Sequence, residues 1–196
     1  MKKFTLFVLL LVGCGWWYVE QQEIEQPPGV LVPEPPSQIN LPEPIEFSLD
    51  QYLVRKLAAF DATGRILGIK RYRSDNTADI SPYDFAMGWG PMSDSAVLEE
   101  ISISQSNRWY FWKVDQFPIP RDAIEHNSAN MHLIPADQSI LREIKERKVG
   151  EVIRIQGYLV EAINDQGKSW KSSLSRTDTG DKACEIIFVE SLQPIH

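Results

Sequence analysis

An uncharged apolar run near the N-terminus constrains this chain more than any other feature of its sequence. Lys2 and Lys3 precede residues 4–19, which are sixteen positions without a charged side chain. A basic pair followed by such a run is typical of an export or membrane-insertion signal rather than of a core helix. Because basic residues tend to stay on the cytoplasmic side, the rest of the chain is expected to face outward. Residues 1–19 therefore predict a bacterial inner-membrane protein whose domain faces the periplasm or the outside.

The run is compatible with more than one form of attachment. Leu11-Val12-Gly13-Cys14 resembles a bacterial lipobox, which makes Cys14 a lipidation candidate at the start of a cleaved, lipid-anchored chain. Without cleavage, the run would span the bilayer as a slightly short helix, since about 17–25 apolar residues are normally needed. Bulky aromatic residues directly behind the cysteine, at positions 16–18, favour the continuing helix and would lie at the membrane interface. A plain cleaved signal is the third possibility.

The net charge of -7 is divided unevenly along the chain. Two lysines lie at the start, residues 15–50 hold seven acidic and no basic side chains, and residues 51–196 hold 18 basic against 20 acidic ones. The contributions are thus +2, -7 and -2. A nearly neutral domain that faces outward is the wrong kind of partner for a phosphate backbone, so no nucleic-acid partner is expected. The expected partners are the membrane and another envelope protein or a cell-wall component.

Residues 20–46 are expected to be an acidic, proline-rich tether. Seven of the thirteen prolines lie between Pro27 and Pro44. Proline at this density favours an extended polyproline conformation, which rises about 3.1 Å per residue and could span on the order of 50 Å here. The alternative is that the apolar residues 30–32, Ile39 and Leu41 dock on the domain or on a partner.

Residues 47–196 are expected to form one α+β, β-rich domain. Apolar runs at 52–60 and 65–73 around a turn at 61–64 predict a hairpin, and residues 101–114 predict a second hairpin or two short strands. Asp94 is placed to cap a short helix, and residues 137–148, capped by Asp137, predict one clear helix. Three further strands after it, with a glycine inside the longest, favour a small curved sheet or OB-like barrel, with a generic α+β sheet as the alternative.

Three motifs carry a resemblance to a known family. They are GWGPMSD at residues 88–94, NMHLIPA at 130–136 and SSLSRTDTG at 172–180. Together they are similar to a family of bacterial membrane-anchored, exported proteins with no assigned activity, and the similarity covers nearly all of the chain. The resemblance implies an exported, membrane-anchored location and an intact fold. It supplies no catalytic residues.

Two candidate chemical centres follow from individual residues. His126 and His132, with Asp122 or Glu125 nearby, could hold zinc, although their spacing is looser than the usual zinc patterns. The alternative is that these histidines hydrogen-bond to fix an irregular loop. Cys184 is the sole thiol expected in the domain, and it opens an apolar strand, where a buried structural cysteine is the common case.

Two candidate binding features complete the set. Arg176 and Asp178 lie in a hydroxyl-rich loop that could bind a carboxylate or phosphate, or could be a turn held by their own ion pair. Trp89 and Trp112 belong to an aromatic set that could stack against a sugar or peptide, or could pack in the core. Because residues 109–112 alternate on a strand, Trp109 and Phe111 are expected to face one way, and Tyr110 and Trp112 the other.

The sequence therefore favours a membrane-tethered, extracytoplasmic binding or assembly module over an enzyme. No phosphate-binding glycine loop, serine nucleophile elbow or H-E-x-x-H motif occurs, so no cofactor is expected. The alternative is a cell-envelope hydrolase or metal-dependent enzyme centred on the His126/His132 loop.

Overall fold

A computed structural model describes residues 23–175 and 184–195 of the chain. Its strands are β1 (Ser37–Leu49), β2 (Tyr52–Arg71), β3 (Tyr83–Gly88), β4 (Ser102–Ser106), β5 (Trp109–Lys113), β6 (Ser128–Pro135), β7 (Val152–Ile163), β8 (Ser169–Lys171) and β9 (Glu185–Pro194). The α-helices within these residues are α1 (Ser95–Leu98), α2 (Arg121–His126) and α3 (Gln138–Glu146). The prediction of a β-rich fold with a curved sheet is confirmed.

Five strands close into a ring. β2 pairs with β3, β3 with β6, β6 with β9, β9 with β7, and β7 pairs back with β2. The β6–β9 pairing is parallel and the other four are antiparallel. Apolar side chains on alternate positions, including Phe85, Met87, Met131 and Leu133, fill the inside of this five-strand ring. The residues between them on β3 and β6 therefore point outward.

The predicted hairpin over residues 52–73 is wrong, because β2 is one continuous strand of 20 residues. It pairs with β7 over residues 53–65 and with β3 over residues 65–71. Within the stretch predicted as a turn, Asp61 binds Arg154 of β7 at 2.8 Å. Gly64 lies so close to β3 that a β-carbon there would come within 2.7 Å of the Met87 side chain. Strand pairing of β2 with β7 and β3 thus outweighs the local preference of residues 61–64 for a turn.

The described part of the predicted tether belongs to the domain. Residues 37–46 lie in β1, which pairs with β2, so the expected domain boundary at residue 47 falls inside a strand. Pro42 and Pro44 occupy an irregular stretch between Asn40 and Ile45 where the register shifts, and an edge strand tolerates proline at such a place. Upstream, Val32 is buried in the main core, and its carbonyl accepts the Gly90 N–H at 2.7 Å.

The predicted membrane segment and the Cys14 lipidation candidate lie outside the described residues. Between residues 23 and 175 and between 184 and 195, no helix is long and apolar enough to cross a bilayer.

Both predicted helix caps are confirmed. The Asp137 carboxylate accepts the N–H groups of Ser139 and Ile140 at 2.7 and 3.0 Å, and the Asp94 carboxylate accepts that of Ala96 at 2.9 Å. Helix α3 connects β6 to β7 and buries Ile144 in the main core. It ends at Glu146, two residues before the predicted end.

The predicted hairpin at 101–114 is also confirmed, as β4 and β5. Its turn residues Asn107 and Arg108 have φ of 51° and 69°, the left-handed conformation that a tight two-residue hairpin turn requires. One face of the hairpin lies over the outside of the ring, where Tyr110 and Trp112 join an apolar cluster with Ala86. Burial raises the pKa of the Tyr110 hydroxyl to about 12, although its hydrogen bond with Ser128 acts in the opposite direction. The hairpin thereby covers the outer face of β3 and β6.

Candidate functional site

A buried carboxylate organises one end of the ring. Asp84 lies on β3 with no exposed surface, and the β3–β6 register places it opposite His132. Its oxygens lie 2.7 Å from Nη1 of Arg108, 2.9 Å from Nδ1 of His132 and 3.4 Å from Nδ2 of Asn130. The His132 ring nitrogen is close to the oxygen but poorly aligned with it, so this is an electrostatic contact rather than a good hydrogen bond.

Arg108 connects this carboxylate to the neighbouring loop. Its Nε and Nη2 donate to the two oxygens of Asp75 at 2.9 and 2.8 Å, while Nη1 donates to Asp84. The guanidinium also lies 3.9 Å from the centre of the Tyr72 ring. Burial alone would raise the pKa of Asp75, but the hydrogen bonds from Arg108 and Thr77 outweigh it and lower that pKa. We call Asp75, Asp84, Arg108, Asn130 and His132 the Asp84 network.

A cleft of about 820 Å³ opens beside this network. Its walls include Arg108 and Trp109 from the hairpin, His132 from β6, Trp170 from β8, and Cys184 next to β9. The Trp170 and His132 ring centres are 5.0 Å apart, and the Arg108 guanidinium lies 5.8 Å from the Trp170 ring. We call this the Trp170 cleft. Its walls come from four separate parts of the chain, and the Asp84 network joins two of them, the hairpin and β6.

Two further cavities adjoin the Trp170 cleft. One, of about 530 Å³, shares Trp170 and is lined by Tyr52, Asp75 and Asp79 among others. There the Tyr52 hydroxyl donates to Asp79 at 2.9 Å, and burial, followed by this carboxylate, raises the Tyr52 pKa. The other, of about 590 Å³, shares Arg108 and is lined by residues 71–75 and Asn107. Each of the three is lined by residues of the β2–β3 connection, of the β7–β9 connection, or of both.

The two tryptophans singled out from the sequence are packing residues. Trp89 is 6% exposed and belongs to the main core. Trp112 packs against the outside of the ring and makes an edge contact with Phe117 at 6.1 Å. The predicted alternation along β5 is correct, but the open face carries Trp109 and Phe111. Alternation defined two faces without telling which one the hairpin would bury.

The structure does not bring the two predicted metal-ligating histidines together. His126 is exposed at the end of α2, whereas His132 is 1% exposed inside the Asp84 network. The strand residues from Ser128 to His132 alone separate them by roughly 13 Å of backbone. Within the described ranges, no group of three or more histidine, cysteine or acidic side chains could hold a metal ion.

Among the remaining candidates, Arg176 and Asp178 lie outside the described residues. Cys184 lies just before β9 and shares the wall of the Trp170 cleft with His132. Sequence reasoning missed Asp84, Arg108 and Trp170, which come from three different segments. A charged residue inside the otherwise apolar run of β3 was the one local signal that could have pointed to Asp84.

Comparison with known proteins adds no relative. No family model, no curated protein and no solved structure matches the chain.

We expect Asp84→Ala to lower the free energy of unfolding by about 1–3 kcal/mol, because it leaves Nη1 of Arg108 and the Asn130 amide without their buried acceptor. Asp75→Ala removes the other carboxylate from the same arginine. Since Asp75 is 35% exposed, the expected loss is about 1 kcal/mol or less. Urea unfolding of the full-length protein in mild detergent measures both. Equal losses in the two variants would contradict a central role for Asp84.

Proposed function

We propose that this protein is a membrane-tethered binding module of the bacterial cell envelope, with an OB-like barrel that faces outward and holds its ligand in the Trp170 cleft. The observation that carries the proposal is the cleft itself, which is lined by two tryptophan rings, several serine hydroxyl groups and two cations, Arg108 and Lys171. Its volume lies within the range of about 300–1,000 Å³ typical of ligand sites.

The pairing order of the strands supports the OB-like part of this proposal. An OB fold is a small five-stranded barrel, and its ligands bind at the connections between its first and second and its fourth and fifth strands. In the five-strand ring, taken in chain order, these connections are residues 72–82 and 164–184. The three adjoining cavities lie at these connections.

The rigidity of the cleft favours recognition. Arg108 is held by two carboxylates and a tyrosine ring, and the Asn130 side chain is held by Gln105 at 2.7 Å. On the opposite wall, the Ser172 hydroxyl accepts the Ile186 N–H at 3.0 Å, and the Ser173 N–H donates to the Cys184 carbonyl at 3.2 Å. Groups already fixed in place lose little entropy when a ligand binds.

The N-terminal signal supports the tether and the orientation. Lys2 and Lys3 before the uncharged run favour an orientation with the following domain outside the cytoplasm, by the positive-inside tendency. The resemblance to membrane-anchored exported proteins agrees with that placement.

Co-sedimentation with purified cell-wall sacculi tests the binding site. We expect the full-length protein in detergent to sediment with sacculi, and Trp170→Ala to weaken this by about tenfold or more, as for a central aromatic contact. Phe117→Ala is the matched control, because this aromatic residue is 55% exposed away from the cleft. If Trp170→Ala, shown by circular dichroism to be folded, sediments like the wild type, the cleft is not the binding site.

Fatty-acid labelling tests the attachment. We expect the wild type to resist alkaline extraction from membranes without incorporating labelled fatty acid, because the aromatic residues behind Cys14 favour a continuing helix. If the wild type incorporates labelled fatty acid and Cys14→Ser does not, the protein is attached by a lipid anchor and not by a spanning helix. Release of the protein into the soluble fraction would contradict a membrane tether altogether.

A second candidate function, a thiol-dependent envelope hydrolase, is favoured by one observation. Cys184 and His132 line the same cleft, and His132 contacts the buried Asp84. The parallel register pairs His132 with Ile186, so Cys184, two residues earlier, lies on the same face of the sheet. This arrangement leaves His126 out of the centre that the sequence suggested.

Alkylation of Cys184 by iodoacetamide, followed on its own peptide by mass spectrometry, separates this candidate from a plain binding module. A hydrolase thiol activated by His132 would react well below pH 8.5, the region about which ordinary thiols ionise, and His132→Ala would abolish that reactivity. We expect a plain binding module, in which alkylation of Cys184 has the same pH dependence in the wild type and in His132→Ala.

A further inference from the structure

The β4–β5 hairpin presents one face to water, and that face is unusual for an exposed surface. The register pairs Ser102 with Lys113, Ser104 with Phe111, and Ser106 with Trp109. The serines, Phe111 and Lys113 are exposed, with Phe111 at 49%, while Trp109 is half-buried. Because each ring lies opposite a short serine, no cross-strand side chain covers it. We call this surface the serine–aromatic face.

This face continues into the Trp170 cleft. Trp109 belongs to both, since it lines the cleft together with Trp170. Phe111 lies two residues along the same strand, which places its backbone about 7 Å from that of Trp109. Phe111 and Trp109 follow one another on the open face, and Trp109 shares the cleft with Trp170, which gives a row of aromatic residues from the hairpin surface into the cleft. A row of this kind suits an extended chain of flat or ring-shaped units.

Several cations near this row form no ion pair with the described part of the chain. Lys113 lies on the serine–aromatic face itself, and Arg71 and Arg73 line the adjoining cavity with Arg108. Within residues 23–175 and 184–195, none of Lys113, Arg71 and Arg73 forms an ion pair, whereas Arg108 is neutralised by Asp75 and Asp84. The ligand that complements the row therefore carries negative charge.

Nucleic acids and carbohydrate chains could both stack on such a row, and they differ in charge density. A nucleic acid carries one phosphate per nucleotide, and its binding proteins supply many cations. Among the described residues, the cations beside the row are few, namely Lys113, Arg71, Arg73 and, in the cleft, Lys171, in a protein of net charge -7. Serine hydroxyls and the Asn107 amide beside the rings are suited to sugar hydroxyl groups. OB-like barrels bind oligosaccharides as well as oligonucleotides.

We infer that the serine–aromatic face is a binding surface for a carbohydrate chain that carries sparse carboxylate groups, such as uronic acid units, and that it guides this chain into the Trp170 cleft. The inference rests on the proposed function, because it names the ligand class of the same site. The outer face of β3 and β6 is covered by the hairpin, so the hairpin's own open face takes the ligand instead.

Binding of a polyuronate oligosaccharide to the full-length protein in detergent, measured by calorimetry, tests the inference. A neutral glucose oligosaccharide and oligodeoxythymidylate of equal length are the comparison probes. We expect the polyuronate to bind most tightly, and Phe111→Ala to weaken it roughly tenfold, the scale of a lost stacking contact. Phe117→Ala, the exposed aromatic control, is expected to leave affinity unchanged.

Two matched variants test the contribution of positive charge to polyuronate binding. Arg73→Gln is expected to weaken polyuronate binding and to reduce its dependence on salt, while Lys145→Gln, which removes an exposed cation on α3, should change neither. Equal affinity for the neutral oligosaccharide would overturn the inference, as would tighter binding of the oligonucleotide.

Sacculus binding distinguishes failure of the inference from failure of the proposed function. Suppose that Trp170→Ala weakens sacculus binding, that Phe111→Ala does not, and that polyuronate does not bind. The proposed binding function is then supported, and the carbohydrate-binding role of the serine–aromatic face is wrong. If neither sacculi nor polyuronate bind, both proposals fail. Binding of both that is weakened by Trp170→Ala and by Phe111→Ala supports both.

Discussion

A single buried carboxylate holds one end of this molecule together. Asp84 lies on the outside of the five-strand ring but has no exposed surface, and the hairpin residues Arg108 and Gln105 contact it there. A buried charge is tolerated only when it is paired, and Arg108 supplies the pairing from the hairpin turn. Arg108 has a left-handed backbone conformation in the hairpin turn, and from there its side chain pairs with Asp84 on the ring. The turn geometry and the ion pair therefore stabilise the same position of the hairpin.

The cavities follow from this arrangement. Arg108 reaches Asp84 on the ring and Asp75 in the β2–β3 connection, so the hairpin tip is fixed against both. Trp170 approaches from the β7–β9 connection and packs on His132. The Trp170 cleft lies between the hairpin tip, β6 and the described residues that precede β9. A preformed cleft of this kind is the physical basis of the proposed binding function.

Local signals in the sequence were reliable where the stabilising contacts are local. The caps at Asp94 and Asp137 lie within three residues of the groups they bind, and both were predicted correctly. The turn signal at residues 61–64 failed, because β7 and β3 offer ladder partners that the local pattern does not contain. Pairing with β2 likewise takes residues 37–46 of the proline-rich segment into β1, which its proline content does not indicate.

The sequence by itself determined the division of charge, the signal-like N-terminus, the β-rich class, the capped helices and the alternation along β5. Only the tertiary structure decided which aromatic face stays open, and it alone brought Asp84, Arg108 and His132 together. Alternation is a property of one strand, whereas burial depends on the element that packs against it. Likewise, an ion pair between distant segments depends on strand register and turn geometry, and these are set by the pairing of the whole ring.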